Sequence, residues 1–431
     1  MQFLNFLFGI GVVFFILDSA HAENLRSALS SAYRYNATLK AQRAAERASH
    51  ESLPQSMAYF LPQISALADI GVSDTVLKHS NVLIDNDKNI ILGGLGLTIK
   101  QNLFNGFRSI NSLAVAKADI LANREILRNL EQDILLKAII AYIDVIRDHK
   151  MVKIQRKNLD FLNEQLRSSQ SQLNVGEGIY TDLVQSQAQL YLSQAKLIAS
   201  KANLKAARGT YYKIIGNDPK QLTWPKLPFH LYPGDLQKAI AVGLVENPAV
   251  VRTQYLVDRA LFTVKISEGA SLPTLNAQVT ASRNYNKPTD GDISNLLSAK
   301  LNLKIPLYQG GILESQGRAN KAILSQRRFE LDQARNNVRN LIISAWTKLE
   351  SARARCKGNQ VQLSAAKLSL SGILEKSHVG LSTKLDVLIA KNSLFQAKEM
   401  AIQSRHAEII AGYSLISAIG RLNTKQLSLN F

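Results

Sequence analysis

Residues 103–106, Leu-Phe-Asn-Gly, reappear at 307–310 as Leu-Tyr-Gln-Gly. Val175-Gly176 reappears as Val379-Gly380, Asp182 as Asp386, and Gly216 as Gly420. Every pair is 204 residues apart (307 − 103, 379 − 175, 386 − 182, 420 − 216). An offset held constant over about 110 residues excludes chance matches of short words and makes the chain two equivalent halves, the usual basis of a pseudo-symmetric object. The Leu-Pro pairs at 61 and 272 are instead 211 apart (272 − 61), so the second half is seven residues shorter (211 − 204) between there and residue 307. The missing length is assigned to a surface loop.

Each half reads in the same order. A helical stretch comes first, from Glu23 to about Ser52 and from Pro233 to about Gly269. Leu61-Pro62-Gln63-Ile64 and Leu272-Pro273-Thr274-Leu275 follow; Pro and the residue before it resist helix, so the chain leaves in extended form. Apolar residues then alternate with polar ones: Ile64, Ala66, Ala68, Ile70 and Val72 in the first half, Leu275, Ala277, Val279 and Ala281 in the second. Beyond a polar loop, alternation resumes at Ile91, Leu95, Leu97 and Ile99, and at Ala299, Leu301, Leu303 and Ile305. Period two predicts strands with one apolar and one polar face. Four strands of about 9–12 residues are expected per chain, the length and pattern of a transmembrane β-barrel, although a half-buried soluble strand has the same local pattern.

After Asn105-Gly106 and Gln309-Gly310 the period changes to that of a helix. Leu127, Leu130, Ile134, Ala138, Ala141 and Val145 fall on one stripe. The pattern lasts about 65 residues, a helix roughly 100 Å long at 1.5 Å per residue. Helices of that length must pack side by side as coiled coils. Each is expected to turn at Val175-Gly176 or Val379-Gly380 and return to about Ile215 or Ile419. The expected boundaries are a signal peptide at 1–22 and a first repeat at 23–216, with strands near 62–74 and 90–102 and long helices near 105–215. A linker follows at 217–232. The second repeat, 233–420, has strands near 273–285 and 297–306 and helices near 310–419, and a tail runs over 421–431.

Composition narrows the function. Aromatics make up only 7% of the 431 residues, which suits long helices better than a compact aromatic core. The net charge of +19 is spread along helical faces without a dense basic run or stacking aromatics, which argues against nucleic acid. The one cysteine, Cys356, excludes an intramolecular disulfide. The seven histidines form no metal-ligand spacing, and no Gly-rich phosphate loop or Cys-His pair appears, so neither catalysis nor a cofactor is expected. Phe3 to Leu17 is mostly apolar and Ala20-His21-Ala22 resembles a cleavage site, so the N-terminus reads as a secretory signal, or else as an uncleaved anchor. No cysteine follows it to carry a lipid.

Four strands cannot close a barrel, because about eight are needed merely to fill its interior, and an open sheet in lipid leaves its edges unsatisfied. Several chains must pool strands; three would give twelve. The alternative is a periplasmic coiled-coil adaptor or scaffold, which has helical hairpins but needs no barrel.

The chain resembles the TolC family of trimeric outer-membrane exit ducts over essentially its whole mature length. The motifs are the two Leu-Pro lead-ins, the strand exits Gln101-Asn102-Leu103-Phe104-Asn105-Gly106 and Lys304-Ile305-Pro306-Leu307-Tyr308-Gln309-Gly310-Gly311, Glu246-Asn247-Pro248, and Val379-Gly380 with Asp386-Val387-Leu388 after it. The resemblance implies a mainly α chain with transmembrane β: a homotrimeric 12-stranded barrel in outer-membrane lipid above a 12-helix coiled-coil tunnel in the periplasm. It implies a periplasmic membrane-fusion adaptor and an inner-membrane transporter of ABC or RND type as partners, serving type I secretion or drug efflux. It places Asp386 in an acidic ring at the periplasmic aperture, with Thr181 and Asp182 as gate partners. This chain departs from the family's best-studied member at Ile389, where that member has a second aspartate, and at Ser382, where a gate-linking arginine is expected. The same alignment sets Gln185 against Ile389. Asp182 and Asp386 also suit the first turn of a helix, where an acid favours the dipole without further function. The turn residues Val175, Gly176, Val379 and Gly380 read both as structural and as adaptor contacts. Phe104, Gly106, Pro306, Tyr308 and Gly310 mark the barrel–tunnel junction.

Overall fold

The computed structural model describes residues 24–73, 78–79, 82–83, 90–287 and 291–429. The expected signal peptide at 1–22 lies outside the described residues, as does most of the longer loop of the first half. Helices α1 (Leu25–Tyr35), α2 (Ala37–His50) and α3 (Ser52–Met57) lead to strand β1 (Gln63–Ser73). A short ribbon, β2 (Lys78–His79) and β3 (Val82–Leu83), precedes β4 (Ile90–Phe104), and then come the helices α4 (Arg108–Asn174) and α5 (Tyr180–Ile215). The second half repeats the plan with α6 (Leu236–Glu246), α7 (Pro248–Gly269), β5 (Thr274–Tyr285), β6 (Ile293–Lys304), α8 (Ile312–His378) and α9 (Lys384–Ala418).

The opening stretch of each half is broken where a single helix was expected. Asn36 ends α1 by donating its backbone N–H to Ala32 O, and its side chain accepts from Leu39 N to start α2. Asn247 does the same between α6 and α7, with Pro248 next. An asparagine that ends one helix and caps the next changes the chain's direction without a loop. The two asparagines are 211 residues apart (247 − 36), the offset of the Leu-Pro pairs.

The four long strands form one antiparallel sheet in the order β1-β4-β5-β6, so the hairpin of each repeat joins the other through β4 and β5. Register places the apolar residues on one face: Ile64 pairs with Ile99, Ile99 with Val279, and Val279 with Ala299. The other face carries polar rows. One is Ser65–Thr98–Thr280–Ser298; the next toward the helices is Gln63–Lys100–Gln278–Lys300. Ile70 is 84% exposed and Leu297 79%, so within one chain nothing covers the apolar face. The edge strands β1 and β6 have one ladder each.

The helices α4 and α8 have 67 residues each, about 100 Å at 1.5 Å per residue. They are repeat equivalents, yet their surroundings differ. Packing runs α5, α4, α9, α8, with α1 to α3 against α4, α6 against α8, and α7 against both long helices. The stripe read from sequence is buried at Ile134, Ala138, Ala141 and Val145, and its equivalents 204 residues on, Val338, Ile342, Ala345 and Leu349, are buried too. Leu135, Ile139, Tyr142 and Ile143 are also buried, because α4 is covered on more faces than one stripe describes. The core sits at this level, where α1, α4, α5, α9 and the tail residues Leu422 and Leu429 meet. By contrast Phe329, Val361 and Leu368 on α8, and Tyr191 and Ile198 on α5, are well exposed. Sheet and helix layer are both open, each with two unlike edges.

Candidate functional site

Asn174-Val175-Gly176-Glu177-Gly178 reverses the chain because Gly176 takes φ +79°, as Gly380 takes +77° in the second turn. The backbone N–H groups of Glu177 and Gly178 both donate to Gln172 O at 3.0 Å, and that of Leu381 donates to Lys376 O at 2.8 Å, closing the last turns of α4 and α8. Nothing lies within 4 Å of a Cβ placed on Gly176 or Gly380, so the demand for glycine is one of backbone conformation alone. Val175 and Val379 are 71% and 70% exposed, and Ile179, Tyr180, Leu381, Leu385 and Ile389 beside them are exposed as well. Each hairpin tip therefore ends in uncovered apolar side chains.

The two aspartates behind the tips differ. Thr383 caps α9 in a reciprocal arrangement: its hydroxyl accepts from Asp386 N at 3.1 Å, while Thr383 N–H and Oγ1–H donate to Asp386 Oδ2 at 2.8 and 2.7 Å. The Thr383 hydroxyl, and then its backbone N–H, hold the Asp386 carboxyl below its usual range. The position equivalent to Thr383 is Ile179, and α5 has no side-chain cap. Asp182 is exposed in the first turn of α5, so capping is realised at Asp386 and not at Asp182. Thr181 is exposed next to Asp182, Ser382 is half-buried just before the cap, and Ile389 is 58% exposed one turn after Asp386. Thr181 and Asp182 begin α5 whereas Ser382, Asp386 and Ile389 belong to the α9 turn, and among the described residues no ion pair involves either aspartate.

The strand–helix junctions also differ between halves. At the first, a bulge at Asn102–Phe104 ends β4, Gly106 and Phe107 adopt φ +68° and +62°, and Phe107 stands edge-on to Phe104 at 5.2 Å. Asn105 Oδ1 accepts from Ser109 N at 3.2 Å and helps start α4. A Cβ on Gly106 would lie 2.1 Å from Gly269 O, at the end of α7 in the other repeat. At the second junction Gly310 has φ +64° but open space around it. Pro306 is half-buried, while Leu307 and Tyr308 are 92% and 83% exposed.

Two constellations lie outside the expected aperture, tip and junction residues. At mid-height, Arg421 donates twice to the Glu246 carboxylate, at 2.9 and 2.7 Å, and Asn247 Nδ2 donates to Ala418 O at 2.8 Å. Gly420 O accepts from Arg128 and Gln132 of α4. This explains the Glu246-Asn247-Pro248 motif, read above only as a resemblance: it ties α6 and α7 to the end of α9. The second is a charge cluster across α4 and α9, with Arg147 on Asp148 at 2.7 Å and on Asp144 at 2.9 Å, and His406 on Asp144 at 2.7 Å. A cavity of about 1030 Å³ lies nearby between α4, α8 and α9 and includes His406, Gln132 and Asn247, but none of the expected aperture, tip or junction residues.

Comparison with known proteins places this architecture. The family model for outer membrane efflux proteins matches residues 28–217 and 240–421, the two repeats. The outer membrane efflux protein BepC of Brucella suis biovar 1 (strain 1330) is 36% identical over 413 residues, 96% of this chain and 88% of its own. The outer membrane protein TolC of Escherichia coli (strain K12) is 23% identical over 430 residues, covering 95% and 84%. Among solved structures, the Campylobacter jejuni CmeC outer membrane channel superposes with a TM-score of 0.80 over 92% of this chain and 86% of that one, at 14% identity.

Proposed function

The chain belongs to the outer membrane efflux protein family and is a non-enzymatic exit duct of the outer membrane, and we propose that it works as a homotrimer whose three sheets close one 12-stranded barrel above a 12-helix tunnel. One observation carries this reading: both layers of the chain are open, and their two edges are unlike. Joining β1 of one copy to β6 of the next, and α5 to α8, is a heterologous contact, which ends only in a closed ring or a filament. Two copies would supply eight strands, whose interior side chains fill, whereas three leave a lumen. Strands of 11–15 residues, tilted by about 40°, span roughly 30 Å of hydrocarbon. The exposed apolar face supplies the lipid contact. A periplasmic scaffold without a barrel has no use for such a sheet.

As the outer-membrane component of an efflux or secretion system, the chain needs an adaptor and an inner-membrane transporter to energise it. We assign the adaptor contact to the exposed tips around Val175, Gly176, Val379 and Gly380. Asp386 and Asp182, with Thr181, Ser382 and Ile389, are assigned to the aperture. Three converging Asp386 side chains would narrow it and attract cations. The capping box offers a way to separate the two roles. Asp386→Ala removes charge and cap, whereas Thr383→Val removes the cap alone. In planar bilayers, divalent-cation block is expected to vanish in Asp386→Ala and persist in Thr383→Val; equal loss in both would reduce Asp386 to a capping residue.

The reading as a whole is tested by deletion and fractionation. A strain without the protein should become sensitive to toxic small molecules or stop releasing secreted proteins. The protein should appear in outer-membrane fractions as a trimer that dissociates on heating. A soluble periplasmic monomer would sink the proposal.

A further inference from the structure

The row Gln63–Lys100–Gln278–Lys300 crosses all four long strands on the polar face. Both lysines are exposed, and among the described residues neither forms an ion pair. Lys304, opposite Thr274 on the same face, adds a third cation four residues nearer the tunnel. The only acid on the polar face of the described strands is Asp69, six residues from Gln63 along β1, which is about 20 Å. It is already paired with Lys287. The face therefore carries unopposed positive charge at its tunnel end and none elsewhere along the described strands.

We propose that Lys100 and Lys300 form a cationic ring inside the barrel that makes the open duct selective for anions and favours negatively charged cargo. The inference rests on the trimeric barrel reading, which turns the polar face inward and makes two lysines per chain into six around one axis. Twelve strands about 4.8 Å apart and tilted by about 40° enclose a cylinder roughly 24 Å across at the backbone. Lysine side chains reaching inward bring their ammonium groups within about 10 Å of the axis. That is close to the Debye length of about 8 Å at physiological salt, so the six fields overlap at the centre instead of being screened separately. Coulomb's law in water, with that screening, gives a preference on the order of tenfold for a monovalent anion over a cation at the ring. The aperture aspartates act at the other end of the tunnel, some 100 Å away, too far to cancel it. The ring also gives part of the +19 net charge a specific position.

The test is the reversal potential of purified full-length protein in planar bilayers under a KCl gradient, with the acidic charge at the aperture removed by Asp386→Ala in every sample. In that background the lysine-intact channel is expected to prefer chloride. K100Q/K300Q should lower the chloride-to-potassium permeability ratio by about tenfold, and K100E/K300E should invert the preference. Arg283→Gln, which removes a cation from the opposite face of the same sheet, should change nothing. Conducting trimers whose reversal potential ignores both lysine pairs would overturn the ring and leave the duct intact. Failure of the lysine-intact protein to form trimers or conduct would overturn the barrel reading, and the ring with it.

Discussion

Gly106→Ala is expected to destabilise the assembled protein far more than the equivalent Gly310→Ala. Both residues have positive φ, +68° and +64°, so alanine costs each about 1–2 kcal/mol of backbone strain. At Gly310 that is the whole cost, because nothing lies within 4 Å of the added methyl. At Gly106 the methyl would sit 2.1 Å from Gly269 O and 3.0 Å from Leu272 Cβ. The obstacle is a backbone carbonyl, so it moves only if the end of α7 moves, and Leu272-Pro273 and β5 follow directly. Overpacking of this kind adds about 1–3 kcal/mol. The total for Gly106→Ala is roughly 2–5 kcal/mol. The dissociation temperature of the proposed trimer in detergent, compared between the two variants, gives the answer. Equal losses would mean that a neighbouring copy fills the space beside Gly310, and the asymmetry between junctions would then belong to the isolated chain.

That contrast shows what the sequence displays and what it hides. The 204-residue offset and period-two runs identify both hairpins, and the helical stripe identifies the long helices, because each is a local periodicity repeated twice. The stripe was legible at Ile134, Ala138, Ala141 and Val145 since each step is three or four residues. The burial of Leu135, Ile139 and Tyr142 was not, since it comes from α1, α5 and α9 arriving from elsewhere in the chain. The breaks at Asn36 and Asn247 could have been read from an asparagine capping the helix that follows, had the 211-residue offset been extended back from the Leu-Pro pairs. Among the site residues, the capping of α9 by Asp386, absent at Asp182, depends on Thr383, three residues earlier, against Ile179 in the other half. The Glu246–Arg421 pair spans 175 residues, and no short-range pattern announces it.

Asn247→Ala should be among the most damaging single changes at mid-height. Asn247 is 6% exposed and serves two ends at once: Oδ1 accepts from Ala249 N at 2.9 Å, and Nδ2 donates to Ala418 O at 2.8 Å. Losing the cap costs about 1 kcal/mol, and leaving a buried carbonyl unpaired costs about 1–3 more. Asn247→Asp keeps the cap but sets a carboxylate oxygen against Ala418 O in a buried site, so it is expected to cost at least as much as alanine. The neighbouring Glu246–Arg421 pair adds a pH signature. Hydrogen bonds from Arg421 hold the Glu246 carboxyl below its ordinary value of 4.5 in the folded state. A depressed folded pKa contributes stability that is fully present above the unfolded pKa and is lost as pH falls through the folded one. Wild-type protein should therefore lose melting temperature as pH drops below about 4.5, and Arg421→Gln should lose less over that interval while starting lower at pH 7. Parallel acid slopes in the two proteins would show that the pair does not couple protonation to folding, and the tie between α6 and the end of α9 would then rest on Asn247 and on the Gly420 carbonyl held by Arg128 and Gln132.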